Sequence, residues 1–268
     1  MNKNIERFET FTDLQGITHK SALYPNKWTQ VTLEKKQKVS LTNHGSPVYI
    51  FRFSFEKETY QLGSFSGQYI AIQAKINNKI IKRYYSPIST PSDHGYVEIL
   101  VKVNLERIGM SNYLQKMNIG DTIQMMGPID GFVYKPGNFK QIVLLSAGVG
   151  LSPMIQLTRS IMKNPNDETQ IVFLHGNISE NELVLFDEIK SYENNRPQQF
   201  KSVFTLEKSH ENWDGEIGFI SKEIIAKNID FELNPQFVMC GPKGFTNAMV
   251  KILKIQMKFP KEQVFSYW

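Results

Sequence analysis

At 268 residues the chain is too long for one small core, and at roughly 150 residues per domain it predicts about two domains. Hydrophobic residues make up 41% and charged residues 21%, which excludes a disordered or collagen-like chain. The net charge of +5 is carried mostly by lysine, scattered rather than gathered in a stripe, so the basic excess reads as a solvated surface open to an acidic protein partner and not as a nucleic-acid-binding arm.

The longest apolar stretch, residues 142–157, is broken by Ser146, two glycines and Pro153, and predicts no membrane-spanning helix. A single cysteine, Cys240, excludes an intramolecular disulfide and a four-thiolate metal site within the chain, and it sets the expectation of a reducing, intracellular environment. The five histidines, His19, His44, His94, His175 and His210, show no paired helical spacing, so no metal site is predicted.

Residues 1–27 read as a polar N-terminal extension. Glu6, Glu9 and Asp13 argue against a presequence, no apolar stretch suggests a secretory signal, and Asn2 is not the glycine that myristoylation needs. A partner surface is expected to hold this segment. From residue 28 to 137 the pattern is β: short alternating segments at 29–38, 47–54, 68–74, 79–86, 96–103 and 122–126, separated by turn residues at 43–46, 77–78, 91–95 and 120–121, predict a small sandwich or barrel, with one helix at 111–117.

After Pro136-Gly137 the period changes, and residues 138–268 form the second expected domain. Strands at 141–145, 170–175, 201–206, 236–239 and 263–267 alternate with helices at 153–163, 181–192, 221–227 and 244–257, the order of a doubly wound parallel sheet. Between the first strand and helix lies Gly148-Val149-Gly150-Leu151-Ser152-Pro153, a context in which backbone amides cradle a diphosphate. Ser152 suits the N-cap and Pro153 the first helical position. The third glycine of a Rossmann fingerprint is absent, and so is a carboxylate in residues 170–176, which leaves a plain strand-to-helix turn open. In the first domain, strand alternation puts Arg83 and Tyr85 on one face and Tyr84 on the other. A cationic fork beside an aromatic platform suits a ligand with a diphosphate and a flat ring, and an ordinary strand is the alternative.

Arg83-Tyr84-Tyr85-Ser86, Gly109-Met110-Ser111, Gly127-Pro128, Gly148 to Pro153 and Cys240-Gly241-Pro242 occur in one order. Together they resemble the ferredoxin–NADP reductase superfamily, and within it most closely the NADH–cytochrome b5 reductases. The resemblance implies an antiparallel FAD-binding β-barrel followed by a parallel-sheet nicotinamide-binding domain, and transfer of hydride from NADH to FAD and then of single electrons to an acidic protein acceptor such as cytochrome b5.

By position, the resemblance implies that Arg83 pairs with the FAD diphosphate, Tyr85 lies against the isoalloxazine and Ser86 sits near N5, with Tyr84 counted among the cofactor-binding residues. It puts Lys102 near the flavin edge and the nicotinamide, and Gly109, Met110 and Ser111 around the FAD diphosphate. Gly148, Gly150, Ser152 and Pro153 would face the nicotinamide cofactor, and Cys240, Gly241 and Pro242 the nicotinamide ring. Tyr85, Ser86 and Cys240 would be the catalytic set, and Trp268 a terminal aromatic near the flavin. For Cys240 a small buried residue at a strand end is an equal reading.

Residues 171–185 carry no lysine or arginine for a 2′-phosphate, while Glu180 and Glu182 are present. Glu182 falls where relatives that prefer NADH often carry an acid, and the plain alternative is two acids in a helix first turn. NADH is therefore expected, ahead of an NADPH-linked ferredoxin or oxygenase reductase. Three departures from the family pattern are visible: Val149 for a frequent threonine, Ile108 for a frequent glycine, and a short connection between Val103 and Ser111. They support a second expectation, a reductase-like accessory subunit kept as a scaffold in a larger, respiratory assembly with weak or no turnover. A peripheral mitochondrial setting is expected ahead of a cytosolic one.

Overall fold

The computed structural model describes residues 10–12, 16–40, 46–208 and 212–267. Residues 43–45 of the turn expected at 43–46, the acids Glu6, Glu9 and Asp13, and Trp268 lie outside the described residues. The chain divides into two compact units, Met1–Tyr134 and Lys135–Trp268.

The first unit opens with β1 (Thr10–Thr12) and β2 (Thr18–Lys20), which pair antiparallel. Neither strand was legible as one, because three residues, Thr10-Phe11-Thr12 in one and Thr18-His19-Lys20 in the other, are too few to show a periodic pattern. The hairpin is tied to its own unit: Phe11 packs edge-on against Phe65 at 4.9 Å, and the N–H groups of Ala22 and Gln61 donate to the carbonyls of Gln61 and Lys20 at 2.8 and 3.1 Å. Over its described residues the extension makes these contacts within its own unit.

Six strands follow: β3 (Thr29–Lys38), β4 (Val48–Ser54), β5 (Ile70–Ile76), β6 (Lys79–Tyr85), β7 (Tyr96–Lys102) and β8 (Thr122–Met126). They form one antiparallel sheet in the order β6-β5-β8-β3-β4-β7. Its two outer strands approach each other: Pro87, just beyond β6, bridges Ile99 of β7, and the Ile88 N–H donates to the Glu98 carbonyl at 2.8 Å. The sheet thus curls into a barrel. Alternate residues line its interior, among them Val31, Leu33, Phe51, Phe53, Ile70, Ile72, Val97 and Ile99. Each fully buried side chain of this size contributes about 1.5–3 kcal/mol of burial free energy. The short helix α1 (Met110–Lys116) closes the core with Met110 and Leu114.

The second unit contains β9 (Gln141–Ala147), α2 (Leu151–Lys163), β10 (Gln170–Asn177), α3 (Phe186–Asn195), β11 (Phe200–Leu206), β12 (Glu216–Ile217), α4 (Lys222–Asn228), β13 (Gln236–Cys240), α5 (Lys243–Val250) and β14 (Val264–Ser266). Its six strands run parallel in the order β12-β11-β10-β9-β13-β14. Residues Gln141 to Ser146 of β9 are all buried, as expected of a central strand covered on both faces. The succession runs outward from β9 through β10 to β12 on one side and returns to β13 on the other. A topological switch point therefore lies between β9 and β13, and in open α/β sheets ligands bind at the carboxyl ends of the strands beside such a point.

The predicted elements are present, with shifted ends. Three differences matter. Gly148–Gly150 winds into a 3-10 turn that runs directly into α2, so the helix begins at Leu151 and Ser152 is not its N-cap. The helix expected at 181–192 instead begins at Phe186, because Leu185 adopts a left-handed backbone (φ 59°) and Glu180–Glu182 forms a separate 3-10 turn. Finally, the helix expected through residue 257 is α-helical only to Val250 and continues as a π-helical segment, Lys251–Gln256.

Candidate functional site

In the first unit the candidate residues lie on and beyond the end of β6, at the barrel seam. Arg83 is exposed, and its one hydrogen bond among the described residues runs from Nη1 to the Lys82 carbonyl at 2.8 Å, leaving its guanidinium fork without a carboxylate partner. Tyr85, two residues on, packs its ring against the barrel core. Burial pushes its phenol up to about 12, with the Arg83 charge pulling the other way, so at neutral pH Tyr85 is an uncharged, flat donor. Ser86 is 8% exposed, and its hydroxyl makes no hydrogen bond with any described residue. The hydroxyl is therefore available to a bound acceptor without breaking an existing bond.

Tyr84 points to the opposite face. Its ring meets Tyr69 edge-on at 5.6 Å, and the Lys82 ammonium lies 5.0 Å from it and 5.6 Å from Trp28. Tyr84 is thereby separated from Arg83 and Tyr85, as strand alternation requires. Lys102 is exposed at the end of β7, three residues beyond the Ile99 that makes the seam with Pro87.

Gly109 stands before α1 with extended backbone, nothing within 4 Å of where a Cβ would be, and no side-chain cap on the helix behind it. Met110 turns its side chain into the core, so only its backbone is available to a ligand. Ser111 is engaged locally, accepting from the Asn104 N–H at 3.3 Å. The short connection is itself ordered: Asn104 Oδ1 accepts from the N–H groups of Glu106 and Arg107 at 3.0 Å, and the Asn112 amide donates to the Leu105 carbonyl at 3.2 Å.

In the second unit the two glycine-bearing motifs meet at the switch point. Cys240 of β13 is opposite Ser146 of β9 in register, and a Cβ on Gly150 would overlap the Cys240 carbonyl. A Cβ on Gly241 would reach 2.7 Å from the Phe245 ring and 3.3 Å from Ala147. Gly148 takes a positive φ of 53°, which side chains seldom adopt. These glycines let two strand ends close on each other, leaving the uncapped first turn of α2 facing the crevice, where the helix dipole favours an anion. Ser152 is buried, and its hydroxyl donates to the Val149 carbonyl at 3.1 Å instead of capping the helix. Pro153 occupies the third helical position, where an N–H has no intrahelical acceptor and none is lost. Cys240 is 8% exposed. Pro242 is exposed and precedes α5, its carbonyl accepting from the Thr246 N–H at 3.1 Å.

Glu182 ends the 3-10 turn after β10, its N–H donating to the Ser179 carbonyl at 3.1 Å. Four residues later Phe186 helps to line a cavity of about 350 Å³ together with Lys190, Phe204, Trp213, Asp214 and Glu216. The Phe186 and Phe204 rings are 4.8 Å apart, and the Phe186 and Trp213 rings 6.4 Å. Sequence reading missed this aromatic wall, because its rings come from α3, β11 and the segment before β12. Glu182 followed shortly by an aromatic residue was the available signal.

Both units match described families. Residues 30–134 match the oxidoreductase FAD-binding domain and residues 144–251 the oxidoreductase NAD-binding domain. The chain is 35% identical over 240 residues to NADH-cytochrome b5 reductase 1 of Mycosarcoma maydis, covering 89% of this chain and 72% of that protein. It is 35% identical over 254 residues to NADH-cytochrome b5 reductase 1 of Dictyostelium discoideum, covering 94% and 86%. Among solved structures, the cytochrome b5 reductase domain of Ulva prolifera nitrate reductase is similar with a TM-score of 0.83 and 27% identity over 92% of this chain and 99% of that one. Ferredoxin-NADP+ reductase from Plasmodium falciparum, at 16% identity and a TM-score of 0.75 over 92% and 98%, in its H286L mutant form, shares the fold.

Proposed function

The chain belongs to the NADH–cytochrome b5 reductase family, and on that footing we propose that it binds FAD in its first unit and NADH in its second, accepts hydride from NADH, and passes electrons singly to an acidic, cytochrome b5-like protein. The observation that carries the reading is the trio at the barrel seam: a guanidinium fork with no carboxylate partner among the described residues, a neutral phenol platform and a hydroxyl that makes no hydrogen bond with any described residue, on consecutive or alternate residues. Nothing in a self-contained barrel requires that combination, whereas a flavin dinucleotide uses all three.

When bound, FAD supplies the conversion of a two-electron hydride into single electrons. The chain's residues bind and orient. Arg83 neutralises the diphosphate of FAD, assisted by the backbone amides of Gly109, Met110 and Ser111. Tyr85 offers its ring to the flavin, and Ser86 directs its hydroxyl at the flavin N5, steadying the reduced form. Tyr84 borders this surface from the far side of the strand.

In the second unit, the turn through Gly148 and Gly150 and the α2 N-terminus, with Ser152 and Pro153 behind them, hold the NADH diphosphate. Glu182 accepts from the ribose hydroxyls and repels a 2′-phosphate, which selects NADH over NADPH. The Phe186–Phe204–Trp213 wall takes the adenine face. Cys240, Gly241 and Pro242 flank the nicotinamide, and Lys102 contributes positive charge at the flavin edge. No acid–base pair is required, because hydride transfer moves no separate proton. The single cysteine is in keeping with a reducing cellular interior, and fractionation with mitochondrial and cytosolic markers tests the expected mitochondrial setting.

The purified chain is expected to be yellow, with a flavin absorption band that bleaches on adding NADH. A colourless protein that co-purifies with other subunits would make it the scaffold suggested by Val149, Ile108 and the short connection. Within the active reading, Ser86→Ala is expected to keep FAD bound but to slow its reduction about tenfold, as for one lost hydrogen bond to a charged centre. Stopped-flow absorbance measures this, and an unchanged rate would remove the role assigned to Ser86.

A further inference from the structure

Among the buried polar groups that the proposed reaction leaves unused, one cluster sits directly beneath the NADH turns. Cys240 of β13, Ser146 of β9, His175 of β10 and Phe204 of β11 stand opposite one another in register, forming a row across four parallel strands. Ser146 is fully buried and His175 is 1% exposed. Both ring nitrogens of His175 are engaged: Nδ1 lies 2.8 Å from Ser146 Oγ, and Nε2 lies 2.8 Å from the side-chain nitrogen of Asn177, the last residue of β10. Because the Asn177 amide donates to Nε2, the proton of the neutral ring sits on Nδ1 and is donated to Ser146. Phe173 and Phe204 pack edge-on against the imidazole at 6.3 and 6.2 Å.

A phenyl ring would fill this space among phenylalanines without any desolvation cost, whereas a buried imidazole is tolerated only with both nitrogens satisfied. The geometry gives those two bonds a consequence. The turn after β9 is fixed against β13 by the close approach of Gly150 to the Cys240 carbonyl. The turn after β10, which carries Glu182, is joined to β9 through the chain Ser146–His175–Asn177. We infer that His175 is a positioning residue for NADH: by bridging the ends of β9 and β10 it sets the Glu180–Glu182 turn against the Gly148–Gly150 turn, so that the ribose and diphosphate contacts are made together. Burial pushes the imidazole down to about 4, which keeps the ring neutral and its tautomer fixed across the physiological range.

This inference rests on the NADH-binding role proposed above. The test uses the full chain with FAD bound and ferricyanide as the electron acceptor. In His175→Phe the ring volume stays and both bonds go; the KM for NADH is expected to rise about five- to tenfold, the loss of roughly one hydrogen bond's worth of alignment, with kcat at saturating NADH within about twofold and FAD content unchanged. Ser146→Ala, the milder variant, is expected to raise KM in the same direction by about two- to fivefold. A purely structural histidine would lower the melting temperature and leave KM alone. If His175→Phe fails to fold, Ser146→Ala decides. An unmoved KM in the folded variant overturns the inference while wild-type NADH oxidation stands, and a wild type that oxidises no NADH overturns the proposed function and this inference with it.

Discussion

Replacing Arg83 with alanine is expected to weaken FAD binding by about 30- to 150-fold, the equivalent of about 2–3 kcal/mol for a charge-assisted, two-pronged contact with a diphosphate. The magnitude follows from what surrounds the residue. Arg83 is exposed and meets no carboxylate among the described residues, so binding an anion breaks no ion pair and gives up little more than the bond to the Lys82 carbonyl. The neighbouring cation cannot replace it. Lys82 is on the opposite face of β6, its ammonium held over the rings of Tyr84 and Trp28.

Arg83→Lys keeps the charge but loses the planar fork, and is expected to fall between wild type and alanine. Flavin retained after gel filtration, together with flavin-fluorescence titration of the apoprotein, measures the effect, and circular dichroism checks that the barrel is intact. Full flavin retention in a folded Arg83→Ala protein would move the diphosphate elsewhere.

How much of this was legible before the structure depended on whether the signal lay in local periodicity. The barrel strands were legible because one face of each is filled and the other wet: Val31 and Leu33 on β3, or Phe51 and Phe53 on β4, alternate with residues that face outward. The same alternation correctly separated Tyr84 from Arg83 and Tyr85. Glycine motifs were legible as turns, but the reason Gly150 must be glycine was not, because the atom that excludes a side chain there is the carbonyl of Cys240, ninety residues away in sequence. That contact exists only once β13 has come back beside β9.

The start of α3 was misread for a related reason. Residues 181–184 have ordinary helical composition, but Val184 is drawn into the core and Leu185 takes a left-handed backbone, so a 3-10 turn and a break replace the first helical turn. Ser152 and Pro153 likewise look like a cap and a first helical residue in any list of preferences, yet the preceding glycines can themselves wind and so move the start of α2 back. For the site residues taken from the family pattern, packing sets two limits: Met110 offers backbone only, and the Ser111 hydroxyl is already bonded to Asn104. The Ser146–His175–Asn177 chain was wholly illegible. A lone histidine between apolar strand residues gives no indication of which neighbours on other strands will reach its two nitrogens.

That histidine also governs the second large effect, which is on stability. In the unfolded chain an imidazole titrates near 6.5, whereas in the fold burial holds His175 at about 4. Between those values the unfolded chain binds a proton that the folded protein refuses, so stability is complete above about pH 6.5, falls as the pH drops toward 4, and levels off below that. The whole step amounts to about 3 kcal/mol, and about 2 kcal/mol of it is already lost at pH 5.

The groups in contact with the ring do not offset this, since Ser146 and Asn177 are neutral and Phe173 and Phe204 apolar. Carboxylates add their own losses at lower pH. At Glu193 burial favours the neutral acid, but hydrogen bonds from Lys190 and Ser202 outweigh it and hold the group below its usual range, so its contribution disappears as the pH falls beneath the ordinary glutamate value. That loss is common to wild type and His175→Phe and cancels in their difference. Urea unfolding at pH 7 and pH 5 should therefore show the wild type losing about 2 kcal/mol more than His175→Phe over this interval. Equal losses in the two proteins would mean that the imidazole takes up its proton inside the fold without penalty, and that water or a rearranged Asn177 reaches Nε2 before the sheet opens.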